Sequence, residues 1–547
     1  MVGRRRAVAW PAFCLLGFFL ISSARPTNAA DWGSPGSPLA PAARVDPRGS
    51  FRGVSSTVPF RAGPATSTLP PTPPASPLSF IAPVYWSWGR YISSNGRFVL
   101  FESAQANRGP GDADWNMDIF VHDRLTGDAT VVSRAPDGTP GGDYAYSDAV
   151  SADGRYVIFT SRASNLVPKD TNQEWDVFLH DRVIGETTRV SLASDGRQGN
   201  GGSMGADLSA DGRFLVFISW ATNFVGPDLN RRTDVFLRDL HMGFTTLVSR
   251  ASDATPGNAV SDQATLSSDG QVVAFTSAST NLVGGDINGT TDVFVHDRST
   301  SQTTRVSVAS DGSQGNNASS GPSLSADGRY VAFASLATNL VAEDTNRESD
   351  VFVHDRLTGE TARVSVASDG TQADRRTGWG SLAGDGRFVT FDSEAANLVA
   401  GDTNAVADVF VHDQQTGETV RVSFAADGNQ ARIGAVGPSI SADGRYIVFY
   451  SGDLGGIVVF DRKPSEAAAW LPTATPPPAT PAPTRPLLLA TGTSAVGVPT
   501  LAPPGDVPAE EVATPTKGAS SGRLCGSSFL LPLILLGIAW LAVRRAR

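Results

Sequence analysis

Cysteine is almost missing from this 547-residue chain: it has two, Cys14 and Cys525, and each lies in an apolar stretch near one end. The body therefore carries no disulfide, no thiolate nucleophile and none of the cysteine-based zinc patterns. A chain of this size can bury its own core without covalent staples. Positive charge is short as well. With 44 Lys+Arg against 54 Asp+Glu the formal charge is −10, and no basic stripe runs through the body. That argues against a nucleic-acid partner, because a phosphate backbone needs a basic face. What the chain has in quantity is Gly (56) and Pro (36), the composition of many turns and some disorder.

The two ends read as addresses. Residues 1–30 have a basic start (Arg4, Arg5, Arg6), an apolar run "AVAWPAFCLLGFFLI" and a small-residue exit, the pattern of a signal peptide cut after Ala30. Residues 524–543 hold 20 residues without a charge, enough for a transmembrane helix, and the basic tail 544–547 ("RRAR") follows at once. The positive-inside rule puts that tail in the cytoplasm, so the expectation is an exported single-pass membrane protein with its body outside. Residues 31–76 form a Pro-rich disordered linker, and residues 465–523 a Pro/Thr/Ala-rich stalk.

Between them, residues 77–464 repeat. Gly96, Gly154, Gly212, Gly270, Gly328, Gly386 and Gly444 each end a turn of the "SADG" type, and every interval is 58 residues. In the fifth unit four β-type runs can be read: "PSLS" (322–325), "RYVAFAS" (329–335), "DVFVHD" (350–355) and "TARVSVA" (361–367). Asp-Gly and Thr-Gly turns join them at hairpin distance. Four short strands per unit, seven times over, predict an all-β, seven-bladed β-propeller, flanked by the disordered linkers and the C-terminal transmembrane helix. The seventh unit stops after "GGIVVFDRKP", three strands in, so residues 77–86 ("PLSFIAPVYW") are expected to supply its outer strand and close the ring.

The segment "SADGRYVAFASLATNLV…DTN…DVFVHDRLTGETARVSV" resembles the TolB-like β-propeller repeat, and the likeness spans roughly residues 78–464. The resemblance implies an extracytoplasmic scaffold or recognition propeller without fixed chemistry. The N-terminal α/β domain of TolB is absent, so the role of TolB in its envelope complex is not carried over.

Four features could carry chemistry. A D-x-N-x-x-x-D cluster recurs as Asp170/Asn172/Asp176, Asp228/Asn230/Asp234, Asp286/Asn288/Asp292, Asp344/Asn346/Asp350 and Asp402/Asn404/Asp408, with Asp112/Asp114/Asp118 as a variant. Alternating oxygens on a tight loop suit Ca²⁺, but three side chains fall short of the six to eight oxygens it takes. The same residues close Asx-turns, which is the preferred reading, and no other cofactor is expected. Five histidines (122, 180, 296, 354, 412) share one strand position, too far apart around a propeller to share an ion; they read as structural. "GGSMG" (201–205) matches G-x-S-x-G, but no helix follows it, so it reads as chance.

The fourth feature is a face. The loops between second and third strands and those between blades lie on one side of the disk, the tight turns on the other. The loops vary between repeats, and variable loops on a rigid scaffold are where recognition sits. Trp115, Tyr144, Tyr146, Trp175, Arg231, Arg232, Arg347, Arg375, Arg376 and Trp379 are the candidate partner-binding residues, aromatics and Arg being the usual anchors. The function expected is non-catalytic binding of a protein or surface glycan. A structural surface-layer component is the alternative, as is a propeller lyase or hydrolase; the enzyme would need a polar cluster breaking the repeat at the axis, and none is apparent in the sequence.

Overall fold

The Asp-Gly turns and the apolar runs behind them fold as their patterning requires. In the computed structural model, which describes residues 78–83, 90–103, 116–226, 230–425 and 427–462, the fifth repeat is a four-stranded antiparallel sheet. Its strands are Ser319–Leu324, Tyr330–Ser335, Asp350–Asp355 and Thr361–Arg363, paired in chain order. There are seven such sheets. The outer strand is shorter than the run "TARVSVA" predicts, because the chain turns away after Arg363 to reach the next blade. These residues lie in the first of two compact units, Met1–Ser465. The residues expected to form a signal peptide, both linkers and a membrane helix fall outside the described residues.

The seventh sheet closes the ring as expected. Its strands Ala435–Ile440, Tyr446–Ser451 and Gly456–Asp461 are completed by Leu78–Pro83, which runs antiparallel with Leu78 opposite Phe460 and Pro83 opposite Gly456. The inner strand of blade 1, Arg90–Ile92, then neighbours the inner strands of both blade 2 and blade 7.

Each sheet is buried on both faces, which explains why the second and third strands read as continuous apolar runs. Leu100, Ile119 and Val121 of blade 1 pack with Val157 and Phe159 of blade 2. Their alternate neighbours Val99, Phe101 and Phe120 pack with Val448, Ile457 and Val459 of blade 7. Phe pairs stack across the second and third strands, from 5.5 Å between centroids at Phe101–Phe120 to 5.9 Å at Phe391–Phe410.

Two further contacts tie neighbouring blades. On the tight-turn face, Gly154 has a φ of 72° and lies against the ring of Phe98 in the preceding blade, where a β-carbon would overlap it. Gly96, Gly212, Gly386 and Gly444 lie in the same way on Tyr446, Tyr156, Tyr330 and Phe388. At the rim, Thr303 of blade 4 donates its hydroxyl to the carbonyl of Arg250 in blade 3 (2.6 Å) and its backbone N–H to Ser252 Oγ (2.9 Å). His296 Nδ1 lies 2.9 Å from the same hydroxyl. Because the single hydroxyl proton goes to the carbonyl, Nδ1 must carry the proton and donate. Burial lowers the histidine's pKa, so the ring is neutral. His180, His354 and His412 repeat the arrangement, as their structural reading anticipates. At the closing blade the polar clamp is replaced by Phe424 against Phe460.

These contacts separate two kinds of turn glycine. Gly154→Ala is expected to destabilise the propeller by roughly 2–4 kcal/mol, from left-handed strain plus overlap with Phe98. Gly196→Ala has φ 83° but nothing within 4 Å, and Ala254 already occupies that position in blade 3 at φ 69°. It should cost about 1 kcal/mol. Chemical denaturation of both variants checks the difference; equal losses would remove the inter-blade contact as its cause.

Candidate functional site

The D-x-N-x-x-x-D residues do come together, on the loop face, but protein groups meet them there. In blade 5, Gln372 Nε2 donates to Asp344 Oδ1 and Asp350 Oδ2, both at 2.9 Å. The Arg363 guanidinium lies 3.8 and 3.7 Å from the same two carboxylates. The amide oxygen of Asn346 accepts the backbone N–H of Glu348 (2.9 Å), the expected Asx-turn, and its NH₂ turns toward Asp350. Gln198/Arg189, Gln314/Arg305 and Gln430/Arg421 repeat this around Asp170, Asp286 and Asp402 in blades 2, 4 and 6. Arg and Gln vary together: blades 1 and 3 have Val131 with Pro140 and Leu247 with Pro256.

The other members of the candidate calcium set also make bonds within their loops. Asn172, Asn230, Asn288 and Asn404 each accept a backbone N–H two residues on, from Glu174, Arg232, Thr290 and Val406, at 2.6–3.1 Å. Their NH₂ groups donate to the carbonyls of Gly199, Gly257, Gly315 and Ala431 at 2.7–3.0 Å. Each amide oxygen is thus engaged by its own turn, and in blades 4, 5 and 6 the NH₂ also reaches Asp292, Asp350 or Asp408. A donor facing the carboxylate is the reverse of what a cation needs. Asp176, Asp234, Asp292 and Asp408 in turn accept the hydroxyls of Ser191, Ser249, Ser307 and Ser423 at 2.5–2.8 Å. Arg421 stands 3.9 Å from Asp408. These bonds close the loop. Asp112, Asp114 and Asp228 lie outside the described residues. Among the described residues no group of three or more His, Cys, Asp or Glu is placed to hold a metal ion. The residue after each Asn is left-handed (Gln173, Arg231, Gly289, Arg347, Ala405), which is how Arg231 and Arg347 are held at the loop tips.

"GGSMG" belongs to an inner strand, Ser203–Leu208, rather than to a loop. Ser203 is fully buried and bonded to Ser219 Oγ at 2.9 Å, without a base.

The aromatic candidates divide. Tyr146 and Trp379, expected in loops, lie within the inner strands Ala145–Val150 and Thr377–Leu382 and so border the axis. These strands escape sequence reading because they are Gly-rich and polar. Trp379 is 57% exposed and covers Gly321 of the preceding blade. Tyr146 meets Trp175, from the loop before the third strand, at 5.2 Å between centroids. Arg162 lies 5.9 Å from the Trp175 ring. Trp220, 37% exposed, flanks Gly202 opposite Trp175. Beside this group is a polar crevice of about 360 Å³ lined by Asp143, Arg162, Ser164, Asp170, Thr171 and Gln173. Arg232, Arg375 and Arg376 lie elsewhere on the loop face; Trp115 lies outside the described residues.

Polar residues that break the repeat do stand near the axis, contrary to the expectation of none. Asp148 and Asp207 occupy inner strands of blades 2 and 3, Asp262 that of blade 4, and Glu102 the second strand of blade 1. Burial, with Glu102 and Asp207 nearby, pushes Asp148 up to about 7, against its bonds from Thr160 Oγ1 (2.6 Å) and Ala206 N–H (3.2 Å). Burial alone pushes Asp262 up to about 6. Each appears in one blade only, so a search for period misses them.

No family model matches the chain, and no curated protein does. Solved structures similar to it include an oligogalacturonate lyase from Vibrio parahaemolyticus, 13% identical, covering 71% of this chain and 92% of that one at a TM-score of 0.42. TolB from Acinetobacter baumannii is 15% identical over 67% of this chain and 80% of its own, at 0.34. An acylaminoacyl peptidase from Pyrococcus horikoshii is 10% identical over 67% and 49%, at 0.41. At these identities the likeness is one of fold alone.

Two measurements follow from these geometries. EDTA or added calcium should leave the melting temperature of the native chain unchanged. Arg363→Met should cost roughly 3 kcal/mol by leaving two buried carboxylates without their cation, and calcium should raise the melt of that variant. A calcium-dependent melt of the native chain would refute the Arg–Gln reading. Asp148 has a folded pKa above its unfolded value of about 3.9, so its contribution is full below that pH and is lost as pH rises through about 7. Asp148→Asn should therefore flatten the pH dependence of stability between these values, gaining up to about 4 kcal/mol relative to the native chain at pH 8. Parallel denaturation curves at all pH values would show that Asp148 titrates normally.

Proposed function

We propose that this propeller is a non-catalytic recognition module, held outside the cytoplasm by its C-terminal segment, that binds a protein or glycan partner through its loop face. The observation that carries the reading is the Tyr146–Trp175 pair beside the polar crevice of blade 2. Positions equivalent to Trp175 hold Met117, Thr233, Thr291, Ser349 and Ala407, and those equivalent to Tyr146 hold Trp88, Met204, Asp262, Ser320, Gly378 and Val436. Blades 3 to 6 are built without either ring. An aromatic pair that the scaffold does not require, next to convergent polar groups, has the make-up of a binding site.

A second reading, a lyase or hydrolase working at the axis, is favoured by Asp148 and Asp262, whose raised pKa values suit proton transfer near neutral pH. The two readings part on one experiment. The purified full chain should bind envelope fragments of the cell that makes it, and Tyr146→Ala or Trp175→Ala should weaken binding by about tenfold or more at an unchanged melting temperature. Asp148→Asn and Asp262→Asn should leave binding as it was. Full binding by both aromatic variants would sink the loop-face reading.

A further inference from the structure

The partner class can be narrowed at the same site. We propose that blade 2 and the edge of blade 3 form a carbohydrate subsite for a neutral, hydroxyl-rich pyranose chain, an inference that rests on the loop-face reading above.

The site has a platform and a polar wall. Tyr146 and Trp175 pair their rings, and Gly202 stands beside both Trp175 and the ring of Trp220. Gly201 has no room for a side chain, whereas Gly202 has. A β-carbon at Gly201 would lie 2.9 Å from the backbone carbonyl of Trp220, while one at Gly202 would stand 3.7 Å from both Trp175 and Trp220. Side chains at these positions, such as Asp143 and Tyr144 in the preceding blade, would rise between the rings. The Ser203 N–H donates to the Trp175 carbonyl at 2.7 Å and the Trp220 N–H to the Gly202 carbonyl at 2.9 Å, so the backbone at both tryptophans is held at the start of the inner strand of blade 3.

The wall is the crevice, where carboxylate, guanidinium, hydroxyl and amide groups converge without an aliphatic lining residue. Arg162 belongs to both parts, facing Trp175 and lining the crevice. A protein hot spot would place an apolar anchor in such a hollow. A pyranose instead lays its C–H face on an aromatic ring and spreads hydroxyls around its edge, the complement of a ring beside a polar wall. The volume of about 360 Å³ lies at the small end of ligand sites, room for one or two sugar units. Charge does not favour an acidic glycan: Asp143 and Arg162 offset one another in the lining, Asp170 is already paired with Arg189 at 3.4 Å, and the chain has a formal charge of −10.

The test is calorimetric titration of the full chain with cellohexaose, maltohexaose and chitohexaose, with hexagalacturonate as the acidic comparison. Binding of at least one neutral hexaose, weakened about tenfold or more by Trp175→Ala and by Trp220→Ser but not by Phe244→Ala on the outer strand of blade 3, is the expected result. Trp175→Phe should keep most of the affinity and guards against misfolding. Binding that survives both indole substitutions, or hexagalacturonate binding ahead of every neutral hexaose, overturns the subsite. Envelope fragments separate this inference from the broader one. Loss of their binding after periodate supports the carbohydrate. Loss after protease alone, still dependent on Trp175, refutes the carbohydrate while leaving a protein partner on the loop face.

Discussion

A glycine lying flat on an aromatic ring of the preceding blade is the contact on which the rest of this molecule depends. It combines two demands at one residue: a left-handed backbone to make the Asp-Gly turn, and no side chain, so that the turn can settle on its neighbour. Around the ring each repeat both gives such a glycine and receives one, and Gly96 on Tyr446 closes the circle. An insertion between one glycine and the next would move a turn off its ring and disturb two interfaces at once. That accounts for a period that stays at 58 residues through every repeat. The contact is not uniform. In blade 4 Val272 takes the place of the ring and Gln271 that of the arginine, and Asp297, without its usual partner, is reached by Arg356 of blade 5 at 3.4 Å.

The two faces of the disk consequently have different freedom. On the tight-turn face, arginines from the end of the third strand donate to turn carbonyls, as Arg182 does to Gly154 at 2.7 Å, and lie over rings of the adjoining blade. Any change there is felt by two blades. On the opposite face the loops are closed by local bonds, such as Asn165 to the Pro140 carbonyl at 2.8 Å and Gln198 to Asp170 and Asp176 at 2.9 Å. These bonds fix the path of the loop and leave the positions between them open, which is where Trp175, Arg231 and Arg347 stand. Rigidity on one side makes variation on the other tolerable.

Much of the fold was legible because it rests on signals that repeat. Apolar runs such as "RYVAFAS", Asp-Gly turns and a missing last strand were enough to specify blades, ring size and the pairing of Leu78–Pro83 with Gly456–Asp461. The site was less legible for a physical reason. The inner strands, such as "SMGADL" and "TGWGSL", pack through backbone and small side chains against their neighbours and carry a bulge, so they show no alternation and read as loops. Tyr146 and Trp379 were therefore recognised as candidates but assigned to the wrong element. The axial acids were missed outright, because Glu102 sits in the run "FVLFES", which reads as an apolar strand. The Asp-Asn-Asp loop was found, but its partners Arg363 and Gln372 lie 13 and 22 residues beyond Asp350, and nothing in the local motif points to them.

The repeats also permit a distinction that a single domain would not. Several inner-strand residues accept a backbone N–H from the next blade, and neutral groups do this well: Gln263 from Gly321 at 2.8 Å and Ser323 from Leu382 at 3.1 Å. Asp207 does the same for Leu266 at 3.1 Å and Asp148 for Ala206 at 3.2 Å, as does Glu102, from a second strand, for Ser147 at 2.8 Å. The structural duty is met without a charge in some blades, so a buried carboxyl in the others adds a desolvation cost that the duty does not require. Burial holds Asp148 and Asp207 above the usual carboxylate range, and that cost is borne at the inner strands of adjacent blades. These carboxyls therefore mark the places where the inner strands carry more cost than the fold requires. The same reasoning that singles out Tyr146 and Trp175 on the loop face marks these acids at the axis, a few residues along the same strand.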